Sequence, residues 1–154
     1  MKKVVFSSLL IFLFVFSGNA QFKWGAGAAL YTDGGLFGVG ARGHYTITDD
    51  YAAQASFHYY FDDASIWSLD LDVHYEGFDI GDLEGFQLRP FAGLNIINAS
   101  AGSDIGINVS SSSTNLNLGM NGTLNLNDNL TLYIEPKIVI GNGGTIGIAA
   151  GVYF

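Results

Sequence analysis

Three histidines, His44, His58 and His74, and the carboxylates Asp70, Asp72 and Glu76 are the residues here whose types suggest chemistry. Two of the imidazoles with Asp72 or Glu76 would make a ligand set for a divalent cation, since ring nitrogens and carboxylate oxygens both bind such ions. Asp70, Asp72 and Glu76 share a parity, so an extended backbone aims all three the same way, where they could act as general acid and base. Neither idea has a tight motif behind it, because no His-x-x-x-His pair is present. Carboxylates set side by side also repel one another unless cations answer them. Lys23, Arg42, Arg89 and Lys137 share the matching parity of their own segments. The residue types therefore describe a network of ion pairs made by Lys23, Arg42, Asp70, Asp72, Glu76, Arg89, Glu135 and Lys137. We expect no catalytic residue, no metal ligand and no cofactor.

For these groups to meet, they must sit on one face of a sheet. Alternation with period two runs from residue 22 to the end of the chain, which predicts strands at 22–31, 36–48, 51–61, 65–76, 86–97, 114–126, 130–141 and 145–154. The connections at 32–35, 49–50, 62–64, 77–85, 98–113, 127–129 and 142–144 carry Gly, Asn, Asp or Ser. Those residues supply turn geometry by tolerating positive φ or by bonding their own backbone. One parity is apolar throughout, for example Phe37, Val39 and Ala41, then Leu69, Leu71 and Val73, then Ile146 and Ile148, and it carries no charge. The other holds the three histidines, Gln54, Asn95, Asn117, Asn121 and every strand-interior charge.

Composition narrows the class. Lys2 and Lys3, the apolar run 4–16 and the small residues Ser17, Gly18 and Ala20 predict a secretory signal over residues 1–20, cleaved before Gln21. Without it, four basic residues face 14 acidic ones, which excludes a nucleic-acid partner. Cysteine is absent, so neither disulfides nor a lipid-modified cysteine is available. Charged residues are 13% of the chain, about half the usual share. No segment of 21–154 is apolar enough for a spanning helix.

Alternation alone does not say which face is inside. A soluble periplasmic β-barrel would bury the apolar face and hold an apolar ligand there. Its water-facing surface would be about a quarter to a third charged, whereas the polar face here is mostly Gly, Asn, Ser and Thr. Aromatics also bunch at the strand ends of the apolar face. Trp24, Tyr45, Tyr51, Tyr75, Phe86 and Phe154 gather at one end, and Phe37, Tyr59, Phe61 and Trp67 at the other. Two such girdles mark the interfaces of a membrane. Backbone groups in lipid must all be paired, which demands closure. The predicted fold is all-β, an eight-stranded antiparallel transmembrane β-barrel wound as an up-and-down meander over 21–154.

With its strand count, its alternation and its last residues Val152-Tyr153-Phe154, the chain resembles small outer-membrane barrels of the OmpA transmembrane-domain and OmpX type. The resemblance implies a Gram-negative outer membrane with outer-membrane lipids as partners, and the Ala20-Gln21 junction resembles signals from Bacteroidota. It implies that the barrel-assembly machinery reads Val152 and Phe154, although Ile148 and Ala149 depart from the polar-Gly pair usual upstream. It places both termini and the 49–50, 77–85 and 127–129 turns in the periplasm. The expected role is non-enzymatic, structural or surface-contacting, with a lumen largely filled by side chains. The 98–113 loop is the expected site of any surface ligand, although its composition suggests a weakly ordered segment. Two alternatives remain open: a lipid-modifying enzyme using His58 and Ser65 near the outer rim, or a narrow low-conductance pore.

Overall fold

The computed structural model describes residues 22–78, 85–102, 108–141 and 144–154. The expected signal at 1–20, residues 79–84, the tip of the 98–113 segment and residues 142–143 lie outside the described residues.

Eight strands alternate with short connections: β1 (Phe22–Tyr31), β2 (Leu36–Thr46), β3 (Tyr51–Tyr60), β4 (Ser65–Tyr75), β5 (Phe86–Gly102), β6 (Asn108–Asn127), β7 (Leu130–Ile140) and β8 (Thr145–Tyr153). Each pairs antiparallel with its sequence neighbours, and β8 returns to β1 to close the barrel. The seam runs from Gly25↔Tyr153 to Tyr31↔Gly147. It is sealed at its end by reciprocal backbone bonds, Phe154 N–H to the Trp24 carbonyl at 2.8 Å and Trp24 N–H to the Phe154 carbonyl at 3.3 Å. Gly34 and Gly35 turn the chain between β1 and β2 with φ of 75° and 63°, values that any Cβ would strain. The β6–β7 ladder lapses between Gly119↔Lys137 and Gly122↔Ile134 without changing register. Pro136, which has no N–H to give, falls in that gap.

The two faces are inverted relative to a soluble barrel. Leu116, Ile138 and Ile146 point outward at 55%, 53% and 57% exposure, while Arg42, Asp70, Glu135 and Lys137 point inward at 2%, 0%, 1% and 3%. Water would penalise the first set and an oil-filled core the second. Only an apolar solvent outside a polar, self-paired lumen satisfies both, and that is the arrangement of a transmembrane barrel. Glycines make room inside it. A Cβ at Gly93 would run into the Leu71 carbonyl and the Asp72 carboxylate, and one at Gly141 into the Asn115 amide.

Strand boundaries follow the alternation closely except at 98–113, where a weakly ordered loop was expected. There β5 continues to Gly102 and β6 begins at Asn108, paired through Asn98↔Ser112, Ala99↔Ser111 and Ser100↔Ser110. Main-chain pairing onto a neighbour whose register is already set carries a Ser- and Asn-rich segment into the sheet despite its loop-like composition.

Candidate functional site

The polar residues of the lumen fall into three connected groups. In the first, Glu135 Oε2 accepts from Arg42 Nη1 at 2.7 Å, Asn121 Nδ2 at 2.7 Å and Gln54 Nε2 at 3.0 Å. The Arg42 guanidinium lies 3.8 Å from the centroid of the Tyr133 ring. Tyr153 donates its hydroxyl to Gln54 Oε1 at 2.6 Å and accepts from Arg42 at 3.3 Å. Strands β2, β3 and β6 thus converge on the β7 carboxylate, while Tyr153 of β8 holds two of the donors.

The second group surrounds Asp70. Lys137 Nζ donates to Oδ2 at 2.7 Å, while Asn95 and Asn117 donate to Oδ1 at 2.7 and 3.0 Å. Asn117 also reaches Asp72 Oδ1 at 3.2 Å. His58 Nδ1 stands 3.6 Å from Asp70 Oδ2, beyond hydrogen-bond length. Above this group, Tyr60 and Ser68 share a hydroxyl bond of 2.9 Å and Tyr60 tilts against Tyr31.

The third group lies where the termini are. Arg89 Nε meets Glu76 Oε2 at 2.6 Å and also donates to Gln87, while His44 Nε2 approaches Glu76 Oε1 at 3.2 Å. Glu76 sits just past β4. Burial raises its carboxyl pKa, but the His44 imidazole and the Arg89 guanidinium outweigh that and hold it below the usual value. His74 uses ring faces instead of polar contacts, stacked on Phe91 at 4.9 Å and edge-on to His44 at 5.5 Å.

Of the eight charges assigned to one network, the structure joins six as three pairs: Arg42–Glu135, Lys137–Asp70 and Arg89–Glu76. Lys23 needs correction. It lies one residue inside β1, is exposed, and enters no ion pair among the described residues, because at the barrel's end a long side chain reaches water instead. Asp72 is buried but meets an amide, since Lys137 is taken by Asp70. Gln54, Asn121 and Tyr153 bond within the first group and Asn117 within the second. Tyr153 was legible in principle, since it has the parity opposite to Val152 and Phe154.

No group of three or more His, Cys, Asp or Glu among the described residues is placed to hold a metal ion. His58 faces Ser68 across the β3–β4 ladder, not Ser65, which is exposed at the start of β4. The girdle residues point outward at both ends. Tyr51 and Tyr75 pair at 5.5 Å at one, Phe37 stacks on Phe61 at 6.1 Å and Trp67 on Phe57 at 6.0 Å towards the other. A cup of about 160 Å³ lined by Tyr31, Asn95 and Asn115 opens at the hairpin end, and a hollow of about 540 Å³ lined by Lys23, Asn125 and Tyr153 at the terminal end. The paired groups stand between them.

Fold and interior together define a small transmembrane β-barrel with a self-paired polar lumen. Three solved outer-membrane barrels share that architecture. The N-terminal β-barrel domain of Pseudomonas aeruginosa OprF aligns with a TM-score of 0.67 and 21% identity, over 86% of this chain and 96% of that one. Neisserial surface protein A (NspA) aligns at 0.60 and 17%, over 86% and 94%. Ail, the attachment invasion locus protein of Yersinia pestis, aligns at 0.53 and 17%, over 86% and 95%. The chain has the fold of these small eight-stranded barrels. No family model matches the sequence, and no curated protein does either.

Proposed function

We propose that this chain is an integral outer-membrane protein of a Gram-negative bacterium, non-enzymatic, whose barrel anchors a β-ribbon that makes contacts outside the cell. The β5–β6 ribbon carries this reading. The last β4–β5 pair is Ser65↔Ser100 and the first β6–β7 pair is Leu116↔Ile140, whereas β5–β6 pairing runs on to Gly102↔Asn108. Residues 108–115 of β6 therefore have a strand on one side only, among the described residues. That stretch holds four successive serines, Ser110 to Ser113, and no Lys, Pro or charge. Edges are usually blocked by such residues, and an unblocked one is a template for an added strand. The paired lumen supports an anchor over a conducting path.

Two of the similar proteins are named for the surface or for attachment, and Ail has been solved with the heparin analogue sucrose octasulfate. This chain is poorly equipped for such a polyanion. Its strand cations other than Lys23 are buried, and Asp33, Asp62 and Asp63 are exposed at the hairpin end. An extended, neutral or basic peptide fits the ribbon better.

The test replaces residues 100–110 with an Asn-Gly turn and scores retention of expressing cells on immobilised protein surfaces. Retention should fall to background while the unboiled band keeps its faster migration on gels. Undiminished retention would sink the ribbon as the contact. The mass of the chain recovered from outer membranes checks both location and cleavage before Gln21. We further propose that the outward, half-buried Val152 and exposed Phe154 address the chain to the assembly machinery.

A further inference from the structure

The unpaired edge of β6 leads into the cup at the hairpin end. Just above Leu116↔Ile140, where pairing with β7 stops, Ser113 and Asn115 of β6 line the cup opposite Gly141. Tyr31 and Asp33 close it from the end of β1 and the turn that follows, and Asn95 from β5. The cup measures about 160 Å³, less than the roughly 300–1,000 Å³ common for a whole small molecule. It suits the end of a chain.

The amide donors of the cup are already spent. Asn95 Nδ2 donates to Asp70 Oδ1 at 2.7 Å, and Asn115 Nδ2 donates to Asn95 Oδ1 at 3.2 Å and to Ser113 Oγ at 3.3 Å. The Asp33 N–H donates to Thr145 Oγ1 at 3.3 Å. What remains for a ligand is rich in acceptors. Asp33 is exposed and is the one charged residue in the lining, among the described residues. Tyr31 is 4% exposed, and its hydroxyl has no hydrogen-bond partner among those residues. No Lys, Arg or His lines the cup. Such a site takes a cationic donor, and an ammonium brings three N–H groups on one centre. Strand direction then says which end of a peptide arrives there. A strand added antiparallel to β6 runs the way β7 does, so its first residue lies beside Ser113 and the cup. A parallel strand would bring a C-terminal carboxylate against Asp33 instead. We infer that the cup receives the α-ammonium of a peptide that adds antiparallel to the β6 edge, an inference that rests on the ribbon reading.

The probe is a peptide of alternating Thr and Val, as long as the 108–115 edge, amidated at its C-terminus and labelled with a fluorophore on a central side chain. Its anisotropy is titrated with the full mature chain folded in detergent micelles. The free-amine peptide should bind about tenfold or more tighter than its N-acetylated form, the worth of a hydrogen bond to a charged group. Asp33→Asn and Tyr31→Phe should each weaken the free-amine form, the exposed Asp33 by about threefold. Both should leave the acetylated form unchanged, and gel mobility checks that each variant is folded. Equal affinity for the two forms, both lost when residues 100–110 become an Asn-Gly turn, overturns the captured terminus while the ribbon reading stands. A free-amine preference that survives both substitutions overturns the cup as its seat. Tighter binding of an acetylated peptide with a free C-terminal carboxylate overturns the strand direction. If no form binds, or the turn replacement changes nothing, the ribbon reading itself fails and this inference with it.

Discussion

Removing the charge of Glu135 while keeping its shape tests whether the lumen is as dry as its geometry states. In Glu135→Gln, Arg42 loses its only ion-pair partner among the described residues, a contact of 2.7 Å between side chains each 1% exposed. Breaking a buried pair by removing one member costs about 3–5 kcal/mol, because the remaining charge stays desolvated without compensation. The cation–ring contact with Tyr133 survives and offsets about 1–2 kcal/mol of that. Asn121 and Gln54 also give up hydrogen bonds to a charged acceptor. The net expectation is about 3 kcal/mol of destabilisation. With a urea slope of about 1–3 kcal/mol per molar, the midpoint should fall by roughly 1–3 M. The assay is tryptophan fluorescence during urea unfolding in phospholipid vesicles. Arg42→Met should cost a similar amount, and the double variant should lose much less than the two singles together, because a pair replaced as a unit is often close to neutral. A loss under about 1 kcal/mol for Glu135→Gln, the size of an exposed pair, would refute the reasoning. It would mean that water reaches this level of the lumen and that the narrow-pore alternative regains force.

Glu76 gives a pH test. Its folded pKa lies below the usual 4.5, so ionised Glu76 stabilises the barrel above that value and loses its contribution as pH falls through the folded pKa. The advantage of wild type over Glu76→Gln in urea midpoint should be present near neutral pH and should vanish well below about pH 4.5; an advantage undiminished there contradicts the His44 and Arg89 contacts. Phe154→Ala should lower the folded protein recovered from cell membranes several-fold, yet leave refolding into detergent intact on gels. Equal loss in both settings would make Phe154 a packing residue and not an address.

Much of the barrel was legible because lipid and a self-satisfied lumen impose opposite demands on alternate residues. Val73 and His74, or Ile134 and Glu135, declare their faces by type alone. Partner choice was not legible. Parity puts Arg42 and Glu135 inside, but they are 93 residues apart, and the stagger of the closed sheet decides which charges meet across it. That is also why Lys23 was assigned to the network: its parity is right, and only its distance from the end of the barrel excludes it. The ribbon was misread for a different reason. Sheet bonds are made by the main chain, so Ser110 to Ser113 extend as a strand on a partner already in register, whatever their side chains suggest about loops.

The same two demands locate the freedom to evolve a function. Replacing an outward Leu116 or Ile138 by a charge would meet lipid, and replacing an inward Asp70 or Glu135 would strand Lys137 or Arg42. Wall and lumen are therefore constrained by the scaffold itself. Two places escape both constraints. The β5–β6 ribbon leaves the sheet's neighbours behind, so its side chains answer neither to lipid nor to the lumen. The exposed Lys23, Asp33, Asp62 and Asp63 enter no ion pair among the described residues. Of these, only the ribbon presents main-chain groups along a continuous edge among the described residues. The proposed contact role rests on that edge.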